Sequence, residues 1–192
     1  MPNWCMTSYT IVGKASDVKR INDALENHPV KEDSAKNWQG NILNALGVSY
    51  DDVDKHSMRG FLYEHDYIGE TGDGDAQLKM LYEEAWCRTD FADVLQEVFP
   101  DISIYWMAEE PGCEIYQTND SDGNFYPDRY YVDTCINGEY DSEYFTTEEA
   151  AYEWLSQRSD CKCADDVELF NESRQLADLE DFIYVHEFDI VN

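Results

Sequence analysis

The side chains of this chain that could do chemistry are its carboxylates, six cysteines and four histidines. The spacing nearest to a cation loop is Asp120-Ser121-Asp122-Gly123. In the helix–loop–helix calcium register, Gly123 at loop position 6 puts Thr118 at position 1 and Arg129 at position 12, where a bidentate carboxylate is needed. The register fails, and the segment reads as a hairpin tip. Among cysteines 5, 87, 113, 135, 161 and 163, only Cys161-Lys162-Cys163 is closely spaced, and it lacks the second pair of a zinc site. No metal is expected, and the thiols are expected to be reduced. Nucleophilic catalysis needs a Ser or Cys beside a base, and His28, His56, His65 and His186 stand in no such context. Gly72-Asp73-Gly74 lacks the Lys-Ser/Thr of a phosphate cradle. With 42 Asp and Glu, some close carboxylate pair is inevitable, so a glycosidase-like pair carries no information. The expectation is a protein with no catalytic residues and no cofactor, a hydrolase being the third alternative.

The carboxylates matter more as a field. Residues 1–60 hold 8 Asp/Glu against 7 Lys/Arg, whereas residues 61–192 hold 34 against 6, a net of −28. Such an excess penalises compactness by self-repulsion, so it is either aimed at a basic partner or a compositional habit. The apolar fraction of 43% is ample for a core, which excludes disorder as the explanation. The sign of the charge is wrong for phosphates, so neither nucleic acid nor anionic lipid is an expected direct partner. No run reaches the ~20 apolar residues of a membrane span. Met1-Pro2-Asn3-Trp4-Cys5 has neither a basic nor an apolar leader region, and a cytoplasmic setting is expected.

The elements that must position these acids follow from periodicity. A strand is expected over residues 8–12, ended by Gly13, then a helix capped by Ser16 with Val18, Ile21, Ala24 and Leu25 on its apolar side. A short helix over 36–46 precedes strands at 59–68 and 78–86. Phe91, Val94, Leu95 and Val98 form a helical stripe closed by Pro100. Four strands follow as a meander, at 102–109, 113–118, 128–136 and 139–145. Their turns are Pro111-Gly112 (type II), Asp122-Gly123 and Asn137-Gly138 (type I′). Thr146 and Glu149 read as a capping box, a further helix covers 165–177, and 182–191 alternates as a last strand. The first elements run β-α-β-β-α-β, the order of a ferredoxin-like split βαβ unit. The expected architecture is α+β: that unit over residues 1–110, and an acidic meander with two helices over 111–192, packed with it as one domain.

The opening Met1-Pro2-Asn3-Trp4-Cys5, a strand and Gly13 resemble the start of the YubB-like, ferredoxin-like proteins of phages, plasmids and conjugative elements. Glu84-Ala85-Trp86, a helix closed by Phe99-Pro100, and a strand ending in Glu109-Glu110-Pro111-Gly112-Cys113 resemble that family's next segment. Together the two stretches cover residues 1–13 and 78–125. Trp86 is followed by Cys87-Arg88-Thr89 rather than the family's proline, and nothing after residue 135 has a counterpart. The resemblance implies a ferredoxin-like fold and a mobile-element origin. It brings no catalytic residue, because the family's function is largely unassigned.

By mass scaling, a folded chain of this size exposes roughly 9,400 Å². Its net charge of −29 is then one per ~320 Å², against one per ~110 Å² on duplex DNA. Segregation must close that gap. In the expected meander, Glu139, Asp141 and Glu143 share one strand face, and Asp133 lies on the neighbouring strand. Glu109, Glu110 and Glu114 surround the Pro-Gly turn, Asp120, Asp122 and Asp128 the next loop, and Glu148 and Glu149 open a helix. Tyr130, Tyr131, Tyr140, Tyr144 and Phe145 are interleaved, and tyrosine is an interface residue. These twelve acids are the expected contact residues for a basic protein, a nucleic-acid-binding host defence nuclease or effector. The chain would inhibit it as an anti-restriction or anti-CRISPR DNA mimic. The alternative is a phage or plasmid protein of another role whose acidity is compositional.

Overall fold

The structure is a computed structural model that describes residues 3–56, 58–70, 73–87, 90–177 and 179–191. Met1 and Pro2 of the opening motif, Gly72 of the glycine-rich loop, and Arg88 and Thr89 after the Ala-Trp motif lie outside them. The chain is α+β and divides into two units, Met1–Asn119 and Asp120–Asn192. No described helix is long and apolar enough to cross a membrane.

The first unit is built from β1 (Trp4–Lys14), α1 (Ala15–Glu26), α2 (Gln39–Ala45), α3 (Tyr50–Lys55), β2 (Gly60–Glu70), β3 (Asp75–Ala85), α4 (Asp90–Val98), β4 (Ser103–Glu110) and β5 (Ile115–Thr118). Its strands lie in the order β2-β3-β1-β4-β5, each paired antiparallel to its neighbour. Alternation along β1 and β3 buries Tyr9, Ile11, Leu78, Met80 and Tyr82. The apolar stripes expected of α1 (Val18, Ile21, Ala24, Leu25) and α4 (Phe91, Val94, Leu95) are buried too. Phe91 packs its ring 4.9 Å from Tyr82 and 5.8 Å from Tyr9.

Several local expectations shift. β1 does not stop at Gly13. A Cβ there would lie 3.1 Å from Ile102, so the glycine permits close packing rather than ending the strand. Helix α1 starts directly from β1 at Ala15, with Lys14 in the cap position and no side-chain cap, so Ser16 is not the cap. Helix α3 was not expected; Ser49 opens it by accepting the Asp52 N–H at 3.2 Å. Pro111–Cys113 forms a 3₁₀ turn instead of a type II turn, and Glu114 follows in the left-handed region at φ 55°. That reversal lays β5 against β4, with Met107 opposite Thr118. The expected meander is therefore split between two sheets, and the first unit reaches residue 119 rather than 110.

The second unit holds β6 (Tyr130–Ile136), β7 (Glu139–Phe145), α5 (Glu148–Ser156), α6 (Ala164–Leu176) and β8 (Phe182–Glu187). Its sheet has the order β7-β6-β8, antiparallel throughout. Asn137 and Gly138 have φ of 55° and 79°, the pair of positive values that a type I′ hairpin demands. Helix α5 is capped by Thr147, whose hydroxyl accepts the Ala150 N–H at 3.2 Å, so the cap lies one residue later than Thr146 and Glu149 is not its partner. Val132, Ala151, Leu155, Cys161 and Ile183 form the core, with Ile136, Val167, Phe170 and Val185 packed around it.

Candidate protein-interaction face

Pairing in the second sheet sorts its side chains into two faces. Val132 stands opposite Glu143 and Val185, and Thr134 opposite Asp141 and Ile183. Since Val132 and Ile183 pack with residues of α5 and α6, this is the helix-covered face. The other face carries three rows: Tyr144-Tyr131-His186, Ser142-Asp133-Tyr184 and Tyr140-Cys135-Phe182. Tyr131 lies 4.7 Å from Tyr144 and stacks on His186 at 6.1 Å, and Phe182 stacks on Tyr184 at 5.0 Å. Tyr140 is 73% exposed, Tyr184 48% and Tyr144 38%, an aromatic surface that a closed domain would ordinarily cover.

The twelve expected acids do not form one band. Glu109, Glu110 and Glu114 belong to the first unit and the other nine to the second. Glu110 is buried, neither carboxylate oxygen having a hydrogen-bond partner among the described residues, and its nearness raises the Cys113 thiol's pKa; it is not a surface contact. Asp120 is also buried. Its carboxylate accepts the backbone N–H groups of Asn124, Phe125 and Tyr126 at 3.1, 2.7 and 2.9 Å. Burial works to raise its pKa, but these bonds and the charge of Arg129 outweigh it and hold the carboxyl below the ordinary range. Asp120 is thus a loop-organising acid and also leaves the contact list. Glu114 and Asp122 are exposed and Glu109 is half-buried.

The remaining seven fall into three settings. Glu139, Asp141 and Glu143 do share a face of β7, but it is the helix side, exposed because β7 is the sheet's edge. Asp141 is neutralised by Arg158 at 3.0 Å. Glu148 and Glu149 lie near Tyr130, and Glu143 near Asp128: burial and the charge of Glu143 raise the Asp128 pKa, while burial, Glu187 and Glu148 raise that of Tyr130. Glu187 was missed because it pairs with Tyr130 from 57 residues further along, and only strand alternation could have hinted at it. Asp133 stands apart, half-buried at the centre of the aromatic face, and has no hydrogen-bond or ion-pair partner among the described residues.

Of the unit's cations, three are engaged. Arg129 donates to the carbonyls of Asp120 and Tyr126, Arg158 pairs with Asp141, and Arg174 lies 3.8 Å from Asp181. Counted by unit, residues 120–192 hold 20 Asp/Glu against 4 Lys/Arg, a net of −16.

The cysteines depart from expectation in one pair. Cys5 and Cys87 are joined by a disulfide, their Cα atoms 5.0 Å apart. Cys5 stands opposite Glu84 in the β1–β3 ladder, and Trp86 and Cys87, at φ 66° and 43°, turn the chain back toward it. Cys161 is in the core and Cys163 exposed, and no described group of three or more His, Cys, Asp or Glu could hold a metal ion.

One further titratable cluster lies in the first unit. Glu84 is buried, accepting from the Tyr9 hydroxyl at 2.9 Å and from the Gln39 amide. Gly60 leaves room here, because a Cβ would force that amide to shift. Burial raises the Glu84 carboxyl to about 7, against the hydrogen bonds of Thr7, Gln39 and Tyr9. His28 is bound to the carbonyls of Ala24 and Lys36, and the His65 imidazole meets the Glu26 carboxylate at 3.2 Å.

No family model matches the chain, and no curated protein or solved structure proves similar to it.

Proposed function

We propose that this chain is an acidic binding protein that docks on the basic, nucleic-acid-binding surface of another protein and occludes it. The observation that carries the reading is the −16 of residues 120–192, whose arginines are all engaged internally. Carboxylates would stand in for phosphates, steering association and competing for the groove. The carboxylates near Tyr130, with Glu187 added, supply local density that the average lacks. The strand order β2-β3-β1-β4, with β3 between the parallel β1 and β2, supports reading residues 1–110 as a ferredoxin-like split βαβ unit. Together with the resemblance to YubB-like mobile-element proteins, this makes a host defence nuclease or effector the partner to seek. The setting would be cytoplasmic, where the Cys5–Cys87 disulfide would stand as an exception to the thiols usual there.

The test is affinity capture by the full chain at low salt, followed by competition. Basic nucleic-acid-binding proteins should be retained, and released by added DNA or RNA or by raising salt well past ~0.15 M. Retention of nothing basic, or of proteins indifferent to nucleic acid, would overturn the proposal.

A further inference from the structure

We propose that the open face of the β7-β6-β8 sheet is a receptor for an arginine side chain, with Asp133 taking the guanidinium and the surrounding rings stacking on it. The inference rests on the proposed function in that the arginine belongs to the basic partner. Its geometry comes from the register. Asp133 is the middle residue of the middle row, with Ser142 and Tyr184 beside it and Tyr131 two residues before it. Cross-strand neighbours stand ~5 Å apart at Cβ and diagonal ones ~7–8 Å, which puts Tyr140, Tyr144, Phe182 and His186 around the carboxylate. A cation held by Asp133 is then within ~6 Å of aromatic faces, the range in which their quadrupole attracts it.

The chain already seats cations on rings elsewhere. Lys31 lies over Trp38 and Tyr50, Arg59 over Trp86, Arg158 over Trp154 at 3.7 Å and Arg174 over Phe170. None of these described cations lies over Tyr140 or Tyr184, and Asp133 is not paired. Charge therefore selects the occupant. Bases could also stack on such a platform, but stacking platforms for single strands come with a basic groove, and this unit would repel the phosphates. A second copy would set Asp133 against Asp133. Arginine is favoured over lysine because its planar fork can meet a carboxylate edge-on while its faces lie on rings.

The experiment titrates the full chain with tetra-arginine and tetra-lysine peptides, by calorimetry and by amide chemical shifts. Tetra-arginine should bind more tightly and shift residues of the open face. Asp133→Asn should weaken it about tenfold and Tyr184→Ala about threefold, whereas Glu139→Gln, on the helix side of β7, should cost less than about twofold. Ser142→Lys, which places an ammonium beside Asp133, should block the peptide with an unchanged circular dichroism spectrum. Equal losses for Asp133→Asn and Glu139→Gln, shifts spread over all the acids, oligothymidylate bound on this face, or a dimer that buries it would each overturn the receptor. The two proposals fail separately. Partners captured by wild type and Asp133→Asn alike, and released by nucleic acid, would sink the receptor alone. Tetra-arginine seated on the face, with captured partners indifferent to nucleic acid, would sink the mimic alone.

Discussion

The first unit sets five antiparallel strands beneath helices and ties its first strand to the turn after β3 by a disulfide. The second holds a three-stranded sheet on a core of Val132, Ala151, Leu155, Cys161 and Ile183. Charge runs the other way. Residues 1–119 carry −13 and residues 120–192 carry −16. By mass scaling these units expose roughly 6,600 and 4,700 Å², so the net charge is one per ~510 Å² in the first and one per ~290 Å² in the second. The smaller core bears nearly twice the charge density, yet even it is more dilute than duplex DNA at one per ~110 Å². Whatever imitation of nucleic acid exists must be local, and the open aromatic face with its single carboxylate is a different device from a uniform negative surface.

Opening the Cys5–Cys87 bond should give the largest contrast between the units. The bond closes a separation of 82 residues, and chain entropy puts its contribution at about 4 kcal/mol. Reduction should therefore lower the hydrogen-exchange protection of β1 and β3, and leave β6 unchanged. Equal loss in both units would break the contrast.

Next comes pH, where the two units should respond with opposite sign. Glu84 has its folded pKa raised from 4.5 to about 7, so its protonated form favours folding. That contribution is whole below pH ~4.5 and is lost as pH rises to ~7, about 3 kcal/mol in all. Glu84→Gln should remove this fall from the stability curve of the first unit. Asp120 has its folded pKa lowered, so its contribution is present above pH ~4 and lost as pH falls through the folded value. The smallest effect expected is Asp120→Ala, which strands three backbone N–H donors and should cost the second unit about 2 kcal/mol at neutral pH. Urea titrations of both variants between acid and neutral pH check the signs.

What was legible in the sequence was local. Asn137-Gly138 named its own turn, because few residues other than Asn and Gly accept two successive positive φ values, and the stripe of Phe91, Val94 and Leu95 named a buried helix face. Pro111-Gly112 marked where β4 ends but not which sheet the next strand joins; the left-handed Glu114 decides that. Cys5 and Cys87 carry no spacing signature, since their partnership comes from the β1–β3 register. The acids were legible as charge but not as contacts. Burial removes Glu110 and Asp120, an ion pair neutralises Asp141, and the place of Asp133 among rings depends on β8 pairing with β6 from the far end of the unit.

The edge strand β7 has a consequence of its own. Every residue from Glu139 to Tyr144 is exposed, and its outer backbone edge has no strand beyond it in the β7-β6-β8 sheet. Exposed edges of this kind template aggregation unless charge forbids it. A second β7 laid alongside would bring Glu139, Asp141 and Glu143 against their own copies, so the same carboxylates act as gatekeepers that keep the chain from polymerising with itself.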